Sequence, residues 1–133
     1  MELHIFYCIM IKTSLFNKQH LKGLFGEIFV IMFYFITFHR LLYFRYQSKI
    51  GEMDLIFRKD KMIIFCEVKT RLGLKLDIDV IANSISFHQR QRLAKSCQNF
   101  ISKSKRYKDF DYRIDLAIVN SFFRKPFIIK HFL

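Results

Sequence analysis

Apolar and polar positions recur along the chain with two different periods, and the places where the period changes predict its elements. The longest apolar run, Leu24 to Phe38, is fifteen residues long, contains Glu27 and Thr37, and is closed by His39-Arg40. It predicts a core helix over about Leu21 to Leu42. A membrane span needs about 20 apolar residues, and runs shorter than about 18 are more often buried helices, so no integral membrane span is expected. Farther on the period falls to two. Ser48 to Phe57 and Met62 to Thr70 are β-branched and apolar runs joined by the polar connection Arg58-Lys-Asp-Lys61, which predicts a hairpin. A long hydrophilic loop, roughly Arg71 to Ile85, separates the hairpin from a second helix. There Ser86 and Gln89 fit a capping box, and Phe87, Leu93, Ala94, Cys97, Phe100 and Ile101 recur at helical spacing. The basic stretch within Ser102 to Lys108 suits that helix's C-terminus. Arg113 to Asn120 predicts a third strand, and Phe127 to His131 a fourth after the Lys125-Pro126 turn.

Glu27 is the odd residue of the first helix. Val30 and Ile31 lie one turn onward, so it has no basic partner at helical spacing. An ionised carboxylate on a helix that is apolar nearly all round costs several kcal/mol, roughly, unless a cation meets it. A tertiary Arg or a metal ion would serve, and a solvent-facing place at the helix end would remove the need.

The hairpin raises a similar question. In its second strand Ile64, Cys66, Val68 and Thr70 share one face, while Phe65, Glu67, Lys69 and Arg71 share the other. One face suits a core and the other is charged. An even-numbered connecting loop of two or four residues is expected to pair Asp54 with Phe65 and Glu52 with Glu67, making Asp54 and Glu67 diagonal neighbours about 7 Å apart. An odd-numbered loop would send Asp54 to the opposite face. Carboxylates gathered this way repel and take up protons unless a cation sits among them. Mg²⁺ prefers one or two carboxylates plus waters and phosphate oxygens, and Lys69 on the same face would stabilise charge on an attacked phosphate. Spacing alone leaves open a second reading, a solvated hairpin face with cross-strand ion pairs.

Composition bounds the partner. The 133 residues, 52% of them hydrophobic, suit one domain with one core. A formal charge of +12, from 23 basic and 11 acidic residues, suits a polyanion or an anionic membrane surface. Cys8, Cys66 and Cys97 are odd in number and lack a metal-ligand spacing, so a reducing cytoplasm is expected rather than a disulfide framework or zinc site. The apolar stretch Ile5 to Ile11 has no basic residues before it and no small-residue cleavage site after it, so a signal peptide is not expected.

Asp54 followed by Glu67-Val-Lys69 resembles the PD-(D/E)xK nuclease signature. More narrowly, Gly26-Glu27, Gly51-Glu-Met-Asp-Leu-Ile56, Glu67-Val-Lys-Thr-Arg71 and Arg113-Ile-Asp115 resemble the YraN family of small bacterial proteins. The resemblance runs from about Gly23 to Val119 and implies a restriction-endonuclease-like fold, an α/β domain with a mixed central sheet flanked by helices. It also implies a metal-dependent endonuclease that hydrolyses DNA phosphodiester bonds with Mg²⁺ or Mn²⁺. Asp54, Glu67 and Glu27 then match the metal-binding acids and Lys69 the catalytic lysine, while Glu52 lies in the motif without an assigned role. No activity is firmly attached to that family, and fold alone does not fix function. The chain departs from the usual pattern in three places. Val30-Ile31 is bulky where relatives often have a small residue, and His88 stands where Lys or Arg is usual. Residues 1–20 extend beyond the usual start, with Met10 as a second initiation site, leaving 21–133 as the endonuclease-like domain.

Basic residues complete the reading. Arg90, Arg92 and Lys95 on the second helix, Lys103, Lys105, Arg106 and Lys108 just after it, and Arg71 beside the acidic motif are expected to track phosphates. No base-reading element is present, so recognition would follow nucleic-acid shape, DNA more than RNA. A homodimer would suit cleavage of both strands. His4, His20, His39, His88 and His131 are scattered and expected to be structural or exposed. Two alternatives remain: a nucleic-acid-binding module that keeps the fold without cleavage, and a peripheral membrane protein using the apolar N-terminal half.

Overall fold

The computed structural model describes residues 18–73 and 75–133. The expectations attached to Cys8, His4, Met10 and the stretch Ile5 to Ile11 lie outside the described residues. A helix α1 (Lys18–Ile36) leads into a β-meander of β1 (Arg40–Gln47), β2 (Glu52–Lys59) and β3 (Met62–Thr70). A short helix α2 (Ile78–Asn83) and a longer α3 (Phe87–Lys103) cross over to β4 (Asp111–Val119), and β5 (Phe127–Ile129) closes the chain. The strands form a five-stranded mixed sheet in sequence order. Only β3 and β4 run parallel, because the helices between them return the chain to the same end of the sheet. The other neighbouring strands are antiparallel.

Alternation along the strands divides the core between two layers. On one side Val30 and Tyr34 of α1 pack on Leu55, Phe57, Ile64, Cys66, Ala117 and Val119. On the other, Leu93, Cys97 and Phe100 of α3 pack on Ile56, Ile63, Phe65 and Ile114. A smaller cluster joins Ile81 and Ile85 to Leu116 and Ile118. Cys66 and Cys97 are buried, unbridged members of these cores. Among the described residues α1 is the one helix long and apolar enough to cross a membrane. Its inner face buries Leu24, Gly26, Glu27, Val30 and Tyr34 within the fold, and Phe25, Met32, Phe35 and Ile36 are exposed.

Four details differ from the sequence expectations. The first helix stops at Ile36 rather than Leu42, because Thr37 turns its hydroxyl back to the Phe33 and Tyr34 carbonyls and Phe38 adopts φ 62°. Arg40–Gln47 is then a strand, with a bulge between Leu41 and Tyr43. The supposed loop Arg71 to Ile85 contains α2, whose first turn is capped by Asp77 Oδ1 accepting from Val80 N at 3.1 Å. Ser48 belongs to a turn, with its N–H on the Gly51 carbonyl at 3.0 Å, and the strand begins at Glu52.

The hairpin is the fourth. Arg58 and Lys59 extend β2, so the connection is the two-residue turn Asp60-Lys61, with Asp60 at φ 52°. Lys59 pairs with Met62 and Leu55 with Cys66. Asp54 therefore does not pair with Phe65, nor Glu52 with Glu67; the even parity stands, but the register is offset by two residues.

Candidate active site

Asp54 and Glu67 are the next residues on their strands past the last pair, Leu55 with Cys66, and the charge of Glu67 acts on Asp54. A regular ladder would next bring the Val68 N–H to the Met53 carbonyl, but the Asp54 carboxylate takes it, Oδ2 accepting at 2.8 Å. The recorded pairing of β2 with β3 ends here, although both strands continue. Met53 beyond it joins the α3 layer.

Glu67 is 7% exposed and accepts two hydrogen bonds on Oε1, from Lys69 Nζ at 2.9 Å and Gln89 Nε2 at 3.2 Å. Lys69, two residues along the strand, reaches it because alternate side chains share a face. Gln89 reaches it from the first turn of α3. Ser86 Oγ caps that helix by accepting from Gln89 N at 3.2 Å, but the Gln89 side chain serves Glu67 instead of closing the capping box.

Glu27 approaches from α1. Gly26 is buried beside the end of β3, and a Cβ on it would overlap Thr70 Oγ1, so the helix can sit this close only with glycine there. The partner that helical spacing lacked for Glu27 comes from β1. Arg45 Nε and Nη2 donate to Glu27 Oε2 and Oε1 at 2.8 and 3.1 Å. Arg45 holds this position with φ 50°, a left-handed conformation just after the β1 bulge.

These charges act on Asp54. Burial first, and Glu67 second, push its carboxyl up to about 8; Glu27 adds to the rise, while the Val68 N–H and Lys69 oppose it. The arrangement favours a proton on Asp54 or a cation beside it. Among the described residues no three His, Cys, Asp or Glu side chains are grouped to hold a metal ion. The acid that acts most strongly on Asp54 is Glu67, while both Glu27 oxygens are occupied by Arg45. Two hard carboxylates fit a magnesium-type ion that keeps waters and takes substrate oxygens; they do not make a closed protein cage.

The basic residues expected to track phosphates divide. Arg71 is exposed just past β3 and donates to the Thr70 carbonyl at 3.1 Å; Arg92 and Lys95 are exposed on α3. Arg90 is committed within the protein, donating to the Ile85 and Ala82 carbonyls at 3.1 and 2.8 Å with its guanidinium 4.6 Å from the Phe132 ring centre. His39 lies edge-on to Tyr34, 4.9 Å between ring centres, and burial, with Lys59 and Arg113 nearby, lowers its pKa. Sequence reasoning missed the roles of Arg45 and Gln89. It also gave no role to Asp115, which is fully buried and accepts from Tyr34 Oη at 2.8 Å, Arg113 Nε at 3.0 Å and His131 N at 3.3 Å. The Arg113-x-Asp115 spacing, which places both side chains on one strand face, was its available signal.

Residues 26–119, which hold Glu27, Asp54, Glu67, Lys69 and Asp115, match the family described as Uncharacterised protein family UPF0102. The chain belongs to this family. UPF0102 is the YraN family of the sequence resemblance. A UPF0102 protein of Ehrlichia ruminantium (strain Gardel) is 31% identical over 94 residues, covering 71% of this chain and 69% of its own length. One of Dictyoglomus turgidum is 33% identical over 105 residues, covering 78% and 86%. One of Agrobacterium fabrum is 28% identical over 103 residues, covering 77% and 81%. The mixed sheet between helical layers is consistent with the restriction-endonuclease-like fold expected of UPF0102.

Proposed function

We propose that this UPF0102 protein is a metal-dependent endonuclease that hydrolyses DNA phosphodiester bonds in the cytoplasm. The observation that carries the reading is the pair of carboxylates Asp54 and Glu67 just past the last paired residues of β2 and β3, close enough that Glu67 raises the Asp54 carboxyl, with Lys69 bound to Glu67 at 2.9 Å. Asp54 and Glu67 would hold Mg²⁺ or Mn²⁺. The bound ion would supply an activated water and neutralise charge on the scissile phosphate. Gln89 orients the Glu67 carboxylate, and the Val68 N–H fixes Asp54. Asp54 would hold such an ion in its ionised form. Lys69, relieved of its bond to Glu67, would place its ammonium against the charge that develops on the attacked phosphate. Glu27, paired with Arg45, contributes negative charge near Asp54 as a positioning residue. Arg71, Arg92 and Lys95 would contact flanking phosphates, and a homodimer would cut both strands.

The engagement of Glu27 by Arg45 and of Glu67 by Lys69 and Gln89 favours one alternative, a DNA-binding module that keeps the fold without cleaving. The test is cleavage of labelled single-stranded, duplex, flap and four-way-junction DNA with Mg²⁺ or Mn²⁺, beside Glu67→Ala and Lys69→Ala. Metal-dependent cutting lost in both variants supports the nuclease. Cutting that survives both removes this site as the catalyst, and binding without cutting selects the module.

A further inference from the structure

Beyond the ends of β3 and β4 lies an open cleft of about 550 Å³, its walls including Lys75, Asn120, Arg124, Lys125, Pro126 and Phe127. Lys75, Arg124 and Lys125 are exposed cations, and among the described residues lining the cleft none is acidic. A cleft lined by one sign of charge concentrates the opposite sign, and a row of phosphates is a polyanion that such a cleft attracts.

The chain holds this cleft in place from three sides. Arg71 N donates to the Val119 carbonyl at 2.8 Å and Gly73 N to the Asn120 carbonyl at 3.3 Å, tying the exit of β3 to the exit of β4. Phe122 sets its ring edge-on against Phe29 of α1, 5.6 Å between centres. Phe127 pairs with Ile118 at the start of β5. Phe122 therefore anchors the connecting loop, whereas its neighbour Phe123 is 100% exposed and Phe127 is 42% exposed. A fully exposed Phe in the same loop as Arg124 and Lys125 contributes nothing to the core. It offers a flat apolar face next to the cations of its own loop, and that combination suits bases that are not already stacked in a duplex.

We infer that this cleft binds an unpaired strand of nucleic acid, with Lys75, Arg124 and Lys125 on the backbone and Phe123 stacked on a base. The inference deepens the nuclease reading, on which it rests for the class of ligand, by giving the substrate a single-stranded arm. Arg71, exposed just past the end of the strand that carries Glu67 and Lys69, is tied through its N–H to Val119, the neighbour of cleft residue Asn120, and is the cation expected to meet such an arm.

The test is fluorescence anisotropy of a labelled oligothymidylate of about 12 nucleotides, within the usual site size, and of a duplex of the same length, both in EDTA. Wild-type protein is compared with Phe123→Ala and with the double variant Arg124→Ala/Lys125→Ala. The expected result is a loss of oligothymidylate affinity on the order of tenfold in Phe123→Ala with duplex affinity unchanged. In the double variant the dependence of log affinity on log salt should be shallower by about 1 to 2. Oligothymidylate affinity unchanged in both variants, or lowered equally for both probes by Phe123→Ala, overturns the cleft assignment while leaving metal-dependent cleavage to its own test. Absence of cleavage does not affect this binding readout. Wild-type protein that binds neither probe overturns the cleft and the nucleic-acid reading together.

Discussion

Arg45 on β1 donates two hydrogen bonds to the carboxylate of Glu27 on α1, at 2.8 and 3.1 Å. The Glu27 side chain is 10% exposed and that of Arg45 25%, so the two members of the pair do not depend on each other equally. Arg45→Ala leaves a nearly buried carboxylate unpaired next to Asp54. The expected cost is about 2–4 kcal/mol, below the full cost of breaking a deeply buried pair because solvent already reaches this one. Glu27→Gln keeps an acceptor for a guanidinium that water can also solvate, and should cost about 1 kcal/mol. Guanidinium unfolding of both variants checks the order; equal losses would show that the pair is screened like a surface one.

Asp54 makes stability depend on pH in a defined direction. Its carboxyl is pushed up to about 8, first by burial and then by Glu67. Above about pH 4 the unfolded chain has lost this proton while the folded protein still holds it. The contribution is therefore complete below about pH 4 and is lost as pH rises through about 8. Asp54→Asn keeps an acceptor for Val68 N and removes the titration. Its melting temperature should match wild type at or below about pH 4 and exceed it by several degrees, roughly, near pH 9. Mg²⁺ or Mn²⁺ should raise the wild-type value near pH 9 and leave that of Asp54→Asn little changed. Melting curves that stay parallel across this range would refute the assignment.

Gly26 and Thr70 set the distance between α1 and β3. Alanine at position 26 gains helix propensity of about 1 kcal/mol but drives its Cβ into Thr70 Oγ1. The overlap should dominate, with a net loss of about 1–3 kcal/mol. Thr70 Oγ1 is buried with no hydrogen-bond partner, so removing it sacrifices no bond. The double variant Gly26→Ala/Thr70→Ala should therefore recover part of the loss, read as a negative coupling in a double-mutant cycle. Additive effects would mean that the helix shifts to accommodate the methyl group.

The sequence was most informative where pattern and chemistry are local. Ser86 capped α3 as expected, the alternation along β3 separated Cys66 from Glu67, and the parity of the hairpin loop held. The failures share a cause. After His39-Arg40 the apolar character resumes at Leu41 to Phe44 with no Gly or Pro between, so composition did not mark the end of α1; the break is made by Phe38, a bulky residue at φ 62°. Asp60 at φ 52° tightened the hairpin to two residues, which no propensity distinguished from a four-residue loop. Arg45 and Gln89 reach their carboxylates from other elements, and nothing in sequence spacing connects them.

The buried carboxylate away from the Asp54–Glu67 pair gives a contrasting case. Asp115 is fully buried, and its partners come from α1, its own strand and the C-terminal segment: Tyr34 Oη at 2.8 Å, Arg113 Nε at 3.0 Å and His131 N at 3.3 Å. Burial first, with Cys66 and the Asp115 carboxylate beside it adding to the rise, lifts the Tyr34 phenol above its ordinary range, so it donates throughout the accessible pH range. Tyr34→Phe removes one donor and leaves Asp115 with Arg113 and His131, a loss of about 1–2 kcal/mol. Asp115→Ala strands Arg113 and the Tyr34 hydroxyl together and should cost about 3–5 kcal/mol. Because the network ties α1 to the sheet without touching Asp54, Glu67 or Lys69, Tyr34→Phe should leave the turnover of any active wild-type preparation unchanged while lowering its denaturation midpoint. Cleavage that falls in proportion to stability, measured well below the midpoint, would instead make Asp115 part of the acidic site.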